Sequence, residues 1–147
     1  MNEEIQRKWS AETDSVLRAA GWHPGRSIST AAWESALHEH DGFEIHEAAR
    51  RFLAEFGGLA VPARGAGRTM ARMEINLDPT LATWDAEIFE VLSEEAGSYL
   101  YPIGMIDRRN GYLGMAPDGT VFTGMDSVTF FADNADEALE KLIEGIR

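Results

Sequence analysis

The stretch that decides the fold is EIHEAARRFLAEFGGL, residues 44–59. From Ile45 the apolar residues recur at Ala48, Ala49, Phe52, Leu53 and Phe56, in steps of three and four that lay them on one stripe of a helix. Glu44, Glu47, Arg50, Arg51 and Glu55 take the other face. Gly57-Gly58 stops the helix, because glycine enters the left-handed conformation at little cost. Leu59-Ala60-Val61 then reads as a first strand. This one segment holds a core helix, its stop and the switch to an extended period. Helices are expected before it and mostly sheet after it.

Upstream, a helix is predicted over residues 4–20, with Ile5, Trp9, Val16, Leu17 and Ala20 sharing a face that Thr13 interrupts. Gly21 ends it, and Trp22-His23-Pro24-Gly25-Arg26 forms a structured turn with Trp22 in or over the core. Ser29-Thr30 caps a second helix over residues 30–40, Trp33 and Leu37 facing inward, and Asp41-Gly42 breaks it. Downstream, residues 63–68 (Ala-Arg-Gly-Ala-Gly-Arg) lack pattern and read as a mobile loop. Met73, Ile75 and Leu77 alternate with Arg72, Glu74 and Asn76 as in a half-buried strand, closed by Asp78-Pro79. A helix over residues 84–96 follows, capped by Thr83 and ended by Gly97. Four short β-prone runs come next, at 101–106, 112–116, 120–123 and 127–131. Asn110-Gly111 is a hairpin signal between the first two, and Pro117-Asp118-Gly119 joins the second pair, so the order predicts an antiparallel meander. Asn134 with Glu137 resembles a capping box and opens a last helix with Ala135, Ala138, Leu139, Leu142, Ile143 and Ile146 on one face. No repeat or linker divides the chain, which reads as a single α+β domain over residues 1–147.

A chain of this size buries about 68–70% of the surface its unfolded form exposes, so it folds without disulfide or metal. It has no cysteine, which excludes thiolate metal sites and thiol nucleophiles and fits a reducing compartment. The opening Met1-Asn2-Glu3-Glu4 carries acid where a signal peptide carries base, and no apolar run approaches the roughly 20 residues of a membrane helix. A soluble, cytoplasmic protein is therefore expected. Net charge is −12, unevenly spread. Residues 1–73 hold nine Lys/Arg against ten Asp/Glu; residues 74–147 hold four against fifteen. Acid of this density disfavours direct binding to nucleic acid or an anionic membrane. It serves either solubility or a basic partner.

The motifs that would carry chemistry fail on spacing. His38, His40 and His46 lie close together with Glu39 and Asp41, but residues two apart diverge by about 200° on a helix, and His46-Glu47 has no second histidine four on. Gly65-Ala66-Gly67 lacks the third glycine and the helix of a dinucleotide loop. Ser93, Ser98 and Ser127 sit in no nucleophile elbow, and Asp133-Asn134-Ala135-Asp136 lacks the glycine and closing glutamate of a calcium loop. No catalytic, cofactor or metal residue is assigned, and no cofactor is expected.

The acidic helix is the candidate site. With about 100° per residue, Trp84, Ile88, Phe89, Val91, Leu92 and Ala96 span one broad arc, while Glu87, Glu90 and Glu94 group opposite. No Lys or Arg occurs from Ala82 to Ile106, so these acids have no compensating partner along the helix. They are read as partner-binding, with Asp126 as a rim contact; a solvated face is the plainer alternative. The last helix, by contrast, sets Glu137 four before Lys141 as a self-compensating pair. Trp9, Trp33 and Trp84, on apolar helix faces, read as core.

The order AAGWHPGR (19–26), AARRFLAEFGGL (48–59), LYPIGMI (100–106), MAPDGTVF (115–122) and DEALEKLIEGIR (136–147) resembles the third family of the SUKH superfamily. Members of that family are immunity proteins of bacterial polymorphic toxin systems, related in fold to the Smi/Knr regulatory proteins. The segments at 124–131 (GMDSVTFF) and 63–68 depart from its pattern. The resemblance implies an α+β fold with a mostly antiparallel or mixed sheet, no catalysis, and a cognate toxin domain, often a nuclease or deaminase, as partner. It implies structural roles for Gly21, Trp22, Pro24, Gly25, Gly57 and Gly58. Arg26 either caps carbonyls or pairs with an acid, or else faces the partner. The expected function is neutralisation of a basic toxin through the acidic surface; the alternative is a Smi/Knr-like regulatory or scaffold protein without a toxin.

Overall fold

Among the described residues up to Phe56 the helical periods become three α-helices: α1 (Ala11–Ala20), α2 (Ala31–Asp41) and α3 (Glu47–Phe56). The computed structural model describes residues 9–62, 67, 69 and 72–146. Helix α3 buries Ala49, Phe52, Leu53 and Phe56, the stripe its spacing demands. Its start is set by His46, whose Nδ1 accepts the Ala49 N–H at 3.2 Å while Nε2 donates to the Met115 carbonyl at 2.8 Å. Since a carbonyl only accepts, the proton sits on Nε2.

The stop of α3 uses its two glycines differently from the expectation. Gly58 is the left-handed residue, at φ 82°. Gly57 has an extended ψ of 144° and is glycine for want of space: a Cβ there would come within 2.5 Å of Trp33 Cζ3. Arg26 completes the stop, its guanidinium donating to the carbonyls of Glu55 at 2.7 Å and Gly57 at 2.8 Å. Carbonyls in a last helical turn lack partners within the helix, so this is the capping role. Trp22 is buried beside it, stacked on Phe56 at 6.2 Å, its indole N–H donated to Glu55 at 3.1 Å.

The sheet has six strands, β1 (Ala60–Val61), β2 (Ile75–Asn76), β3 (Tyr101–Ile106), β4 (Gly111–Met115), β5 (Val121–Gly124) and β6 (Val128–Ala132). They lie in that order, every neighbouring pair antiparallel, so the fold is α+β with a meander sheet. β3 is buried at every position; because side chains alternate across a strand, the centre of the sheet is covered on both faces. Helix α4 (Ala86–Ala96) packs against β6, and α5 (Ala135–Glu144) against both β6 and α1. Strand β6 is an edge, and its outer edge is closed by side chains: Glu95 accepts the Val128 N–H at 2.8 Å, and the Lys141 ammonium reaches the Phe131 carbonyl at 2.6 Å. Lys141 is thus spent on the sheet rather than on Glu137. The cap of α5 is as read: Asn134 accepts the Glu137 N–H at 2.9 Å.

Several local expectations are corrected. Helix α1 starts at Ala11, because Ser10 is extended and accepts the Thr13 N–H at 3.1 Å; residues 4–8 of the predicted helix lie outside the described residues. Thr13 is fully buried rather than an interruption. Ser10 and Thr13 donate to the buried Glu144 carboxylate at 2.6 and 3.4 Å, and the Ser10 N–H donates to Glu140 at 2.6 Å, fastening α1 to α5. Thr30 sends its hydroxyl to Glu34 at 2.6 Å instead of capping α2. The β3–β4 connection is a four-residue loop over 107–110, with Asp107, Arg108 and Arg109 left-handed and Gly111 inside β4 opposite Ile106, not a two-residue Asn-Gly turn. The loop expected at 63–68 lies, apart from Gly67, outside the described residues. Finally, Trp84 belongs to neither the helix nor the core, as follows.

Candidate partner-binding site

Between β2 and α4 the chain makes a 3₁₀ turn, Pro79–Ala82, absent from the sequence reading. Asp78 starts it by accepting the Thr80 N–H at 2.9 Å, and Thr83 closes it by donating its N–H to Thr80, which leaves Thr83 no part in capping α4. The next residue, Trp84, has φ 77°. A bulky residue there costs on the order of 1–3 kcal/mol and persists only where its surroundings enforce it. They do so from two sides. Asp41, at the end of α2, accepts the Trp84 N–H at 2.9 Å. Asp85 accepts the hydroxyl of buried Tyr112 and donates its own N–H to Ala82 at 2.9 Å. Burial first, then that bond to Asp85, pushes the Tyr112 phenol well above its usual range, so the hydroxyl stays a donor. The backbone so held throws the indole outward, 78% exposed, edge-on to His40 with ring centroids 3.9 Å apart.

Helix α4 therefore begins at Ala86. It buries Phe89 and Leu92 and exposes Glu87, Glu90 and Glu94 on one stripe, with Val91 exposed beside them. Among the described residues none of the three glutamates has an ion-pair partner. Asp126 is exposed in the β5–β6 turn. That turn is bound to α4 through Glu95 and Val128, and Gly124 sits so close over Leu92 that a Cβ would come within 2.8 Å of its Cδ2. The fold thus carries Asp126 beside the last turns of the acidic helix.

A groove of about 290 Å³ runs along the flank of α4, between Ala86, Phe89, Glu90 and Ser93 on one side and Asp41, Gly42 and Phe43 on the other. Tyr99 closes one end, its hydroxyl accepting the Glu44 N–H at 2.9 Å, and burial pushes its phenol up as well. Sequence reading missed the groove and both exposed aromatics. The signal for Trp84 was its place between a Thr-closed turn and the start of a new helix; nothing local marks Tyr99. Asp41, read only as a helix breaker, is the residue that joins α2 to the site.

The histidines do not converge. His38 and His40 lie exposed on α2 and His46 points at β4. Among the described residues no group of three or more His, Asp or Glu is arranged to hold a metal ion, and no helix is long and apolar enough to cross a membrane.

The family model described as SUKH-3 immunity protein matches residues 9–145. No curated protein and no solved structure matches the chain.

Proposed function

The chain belongs to the SUKH-3 immunity protein family, and on that premise we propose that it binds and neutralises one cognate toxin domain of a bacterial polymorphic toxin system through the acidic face of α4. The observation that carries this reading is the exposure of Glu87, Glu90 and Glu94 without an ion-pair partner among the described residues. Like charges on neighbouring turns disfavour a helix by a few tenths of a kcal/mol per pair, and a basic partner reverses the sign of that interaction. A toxin that acts on nucleic acid presents a basic cleft for phosphates. Carboxylates seated there deny it to substrate, so the mechanism is occupancy, with no catalytic step and no cofactor. The long-range field of the acidic half speeds encounter, and Asp126 adds a rim contact. The setting is the cytoplasm, where such a toxin would meet its target.

The test is co-expression with the toxic C-terminal domain encoded beside this gene, scoring survival and co-purification. Rescue with a stable complex is expected. Rescue without a complex would replace occupancy by indirect protection; no rescue from an active toxin would favour the regulatory alternative.

A further inference from the structure

The geometry points to a specific occupant for the groove beside the acidic face: a single arginine side chain of the toxin, laid between α4 and residues 41–43, next to the Asp41 that holds Trp84. This rests on the immunity reading and names the recognition element within it. At about 290 Å³ the groove has room for one long side chain. Its chemistry selects the kind of side chain. Phe43, Phe89 and Ala86 give it apolar walls for an aliphatic stem. Glu90 brings an exposed carboxylate to it and Asp41 a second, which already accepts the Trp84 N–H and lies 3.6 Å from His40; Ser93 and Tyr99 also line it, and among the described residues no Lys or Arg does. Ser93 Oγ already accepts the Leu100 N–H at 3.0 Å and Tyr99 the Glu44 N–H, so both hydroxyl groups are fixed in place before any partner arrives. A long side chain with an apolar stem and a cationic planar head fits this combination. Guanidinium surpasses ammonium here because it stacks on aromatic faces and bonds carboxylates in a fork. Trp84 is the further argument. Its left-handed backbone is held by Asp41, itself a wall of the groove, and the outcome of that strain is an indole presented to solvent against His40. Trp and Arg are the residue types in which interface binding energy concentrates.

Two measurements on the full chain decide it. Titration with N-acetylarginine amide, followed by NMR at the Trp84 indole N–H and the Glu90 amide, is expected to give a saturable shift with half-saturation on the order of 1–10 mM, as a ligand of that size allows. N-acetylcitrulline amide, of the same shape without the charge, is expected to give at least tenfold weaker binding. Equal responses to the two, or none to either, would overturn the proposal. In the second measurement, Trp84→Ala and Glu90→Gln are each expected to weaken binding of the neighbouring toxin domain about tenfold, with thermal unfolding of Glu90→Gln unchanged. If wild type binds the toxin and both variants bind equally well, the groove is wrong and the immunity reading stands. If wild type does not bind the toxin, the immunity reading fails and this inference with it.

Discussion

Helices α3 and α4 are of nearly equal length, and each has one apolar and one charged face, yet their charges have opposite destinations. On α3 the charge closes on the chain itself. Arg50 bonds Glu34 of α2 at 2.9 Å and Glu47 at 3.2 Å, Arg51 bonds Glu47 at 3.3 Å, and Arg26 covers the carbonyls at the helix end. On α4 the three glutamates meet no cation among the described residues, and two residues before the helix stands a tryptophan turned outward. A helix whose polar face is internally compensated has nothing left to offer a partner. The difference separates the part of the surface that maintains the fold from the part free to recognise something.

The sharpest way to break this division is to damage the α3 side and look for an effect on recognition. Trp22→Ala removes a buried aromatic ring and is expected to cost about 3–5 kcal/mol in urea unfolding. The affinity of the folded fraction for the toxin should be unchanged. Arg26→Met keeps the apolar stem and loses two charge-assisted bonds to carbonyls, and should cost about 2–3 kcal/mol by the same assay. A loss of toxin affinity larger than the loss of folded protein, in either variant, would dissolve the distinction. The α4 side is tested by Glu87→Lys, Glu90→Lys and Glu94→Lys together. Association with the toxin at low salt should slow by about tenfold or more, while stability moves by less than about 1 kcal/mol. Unchanged stopped-flow kinetics would rule out this face.

The smallest effect is a pH effect. Hydrogen bonds from Arg50 first, then Thr30, hold the Glu34 carboxyl below its usual range. A group depressed in the folded state stabilises fully above its unfolded value and loses that contribution as pH falls through the folded one. Stability should therefore decline below about pH 4–5 through this pair, and Glu34→Gln should flatten that part of the profile by under about 1 kcal/mol, the scale of a surface pair.

What could be read in the sequence divides along a similar line. The α3 stripe, the four β-runs and the Asn134 cap were legible because each rests on neighbours in the chain. Trp84 was misplaced because a helical wheel treats residues 84–96 as one period. Asp41, 43 residues before Trp84, and Tyr112, 27 after Asp85, hold the backbone out of it. The cap at His46 was hidden for the same reason: its second partner, Met115, is 69 residues away. The acids of the site were visible as composition, while the groove that gives them shape is made of segments that meet only in the fold.

The bond between Ser10 and Glu144 has a consequence for biogenesis. The cap of α1 leaves the ribosome before α5 does, and its carboxylate lies 134 residues further on. At roughly 5–20 residues per second, α1 waits on the order of ten seconds for its anchor. Until α5 has emerged, Thr13 and its neighbours have no carboxylate to receive them. A complete α1–α5 junction therefore lags the emergence of α1 by the time taken to translate those residues, which favours a standing stock over synthesis on demand.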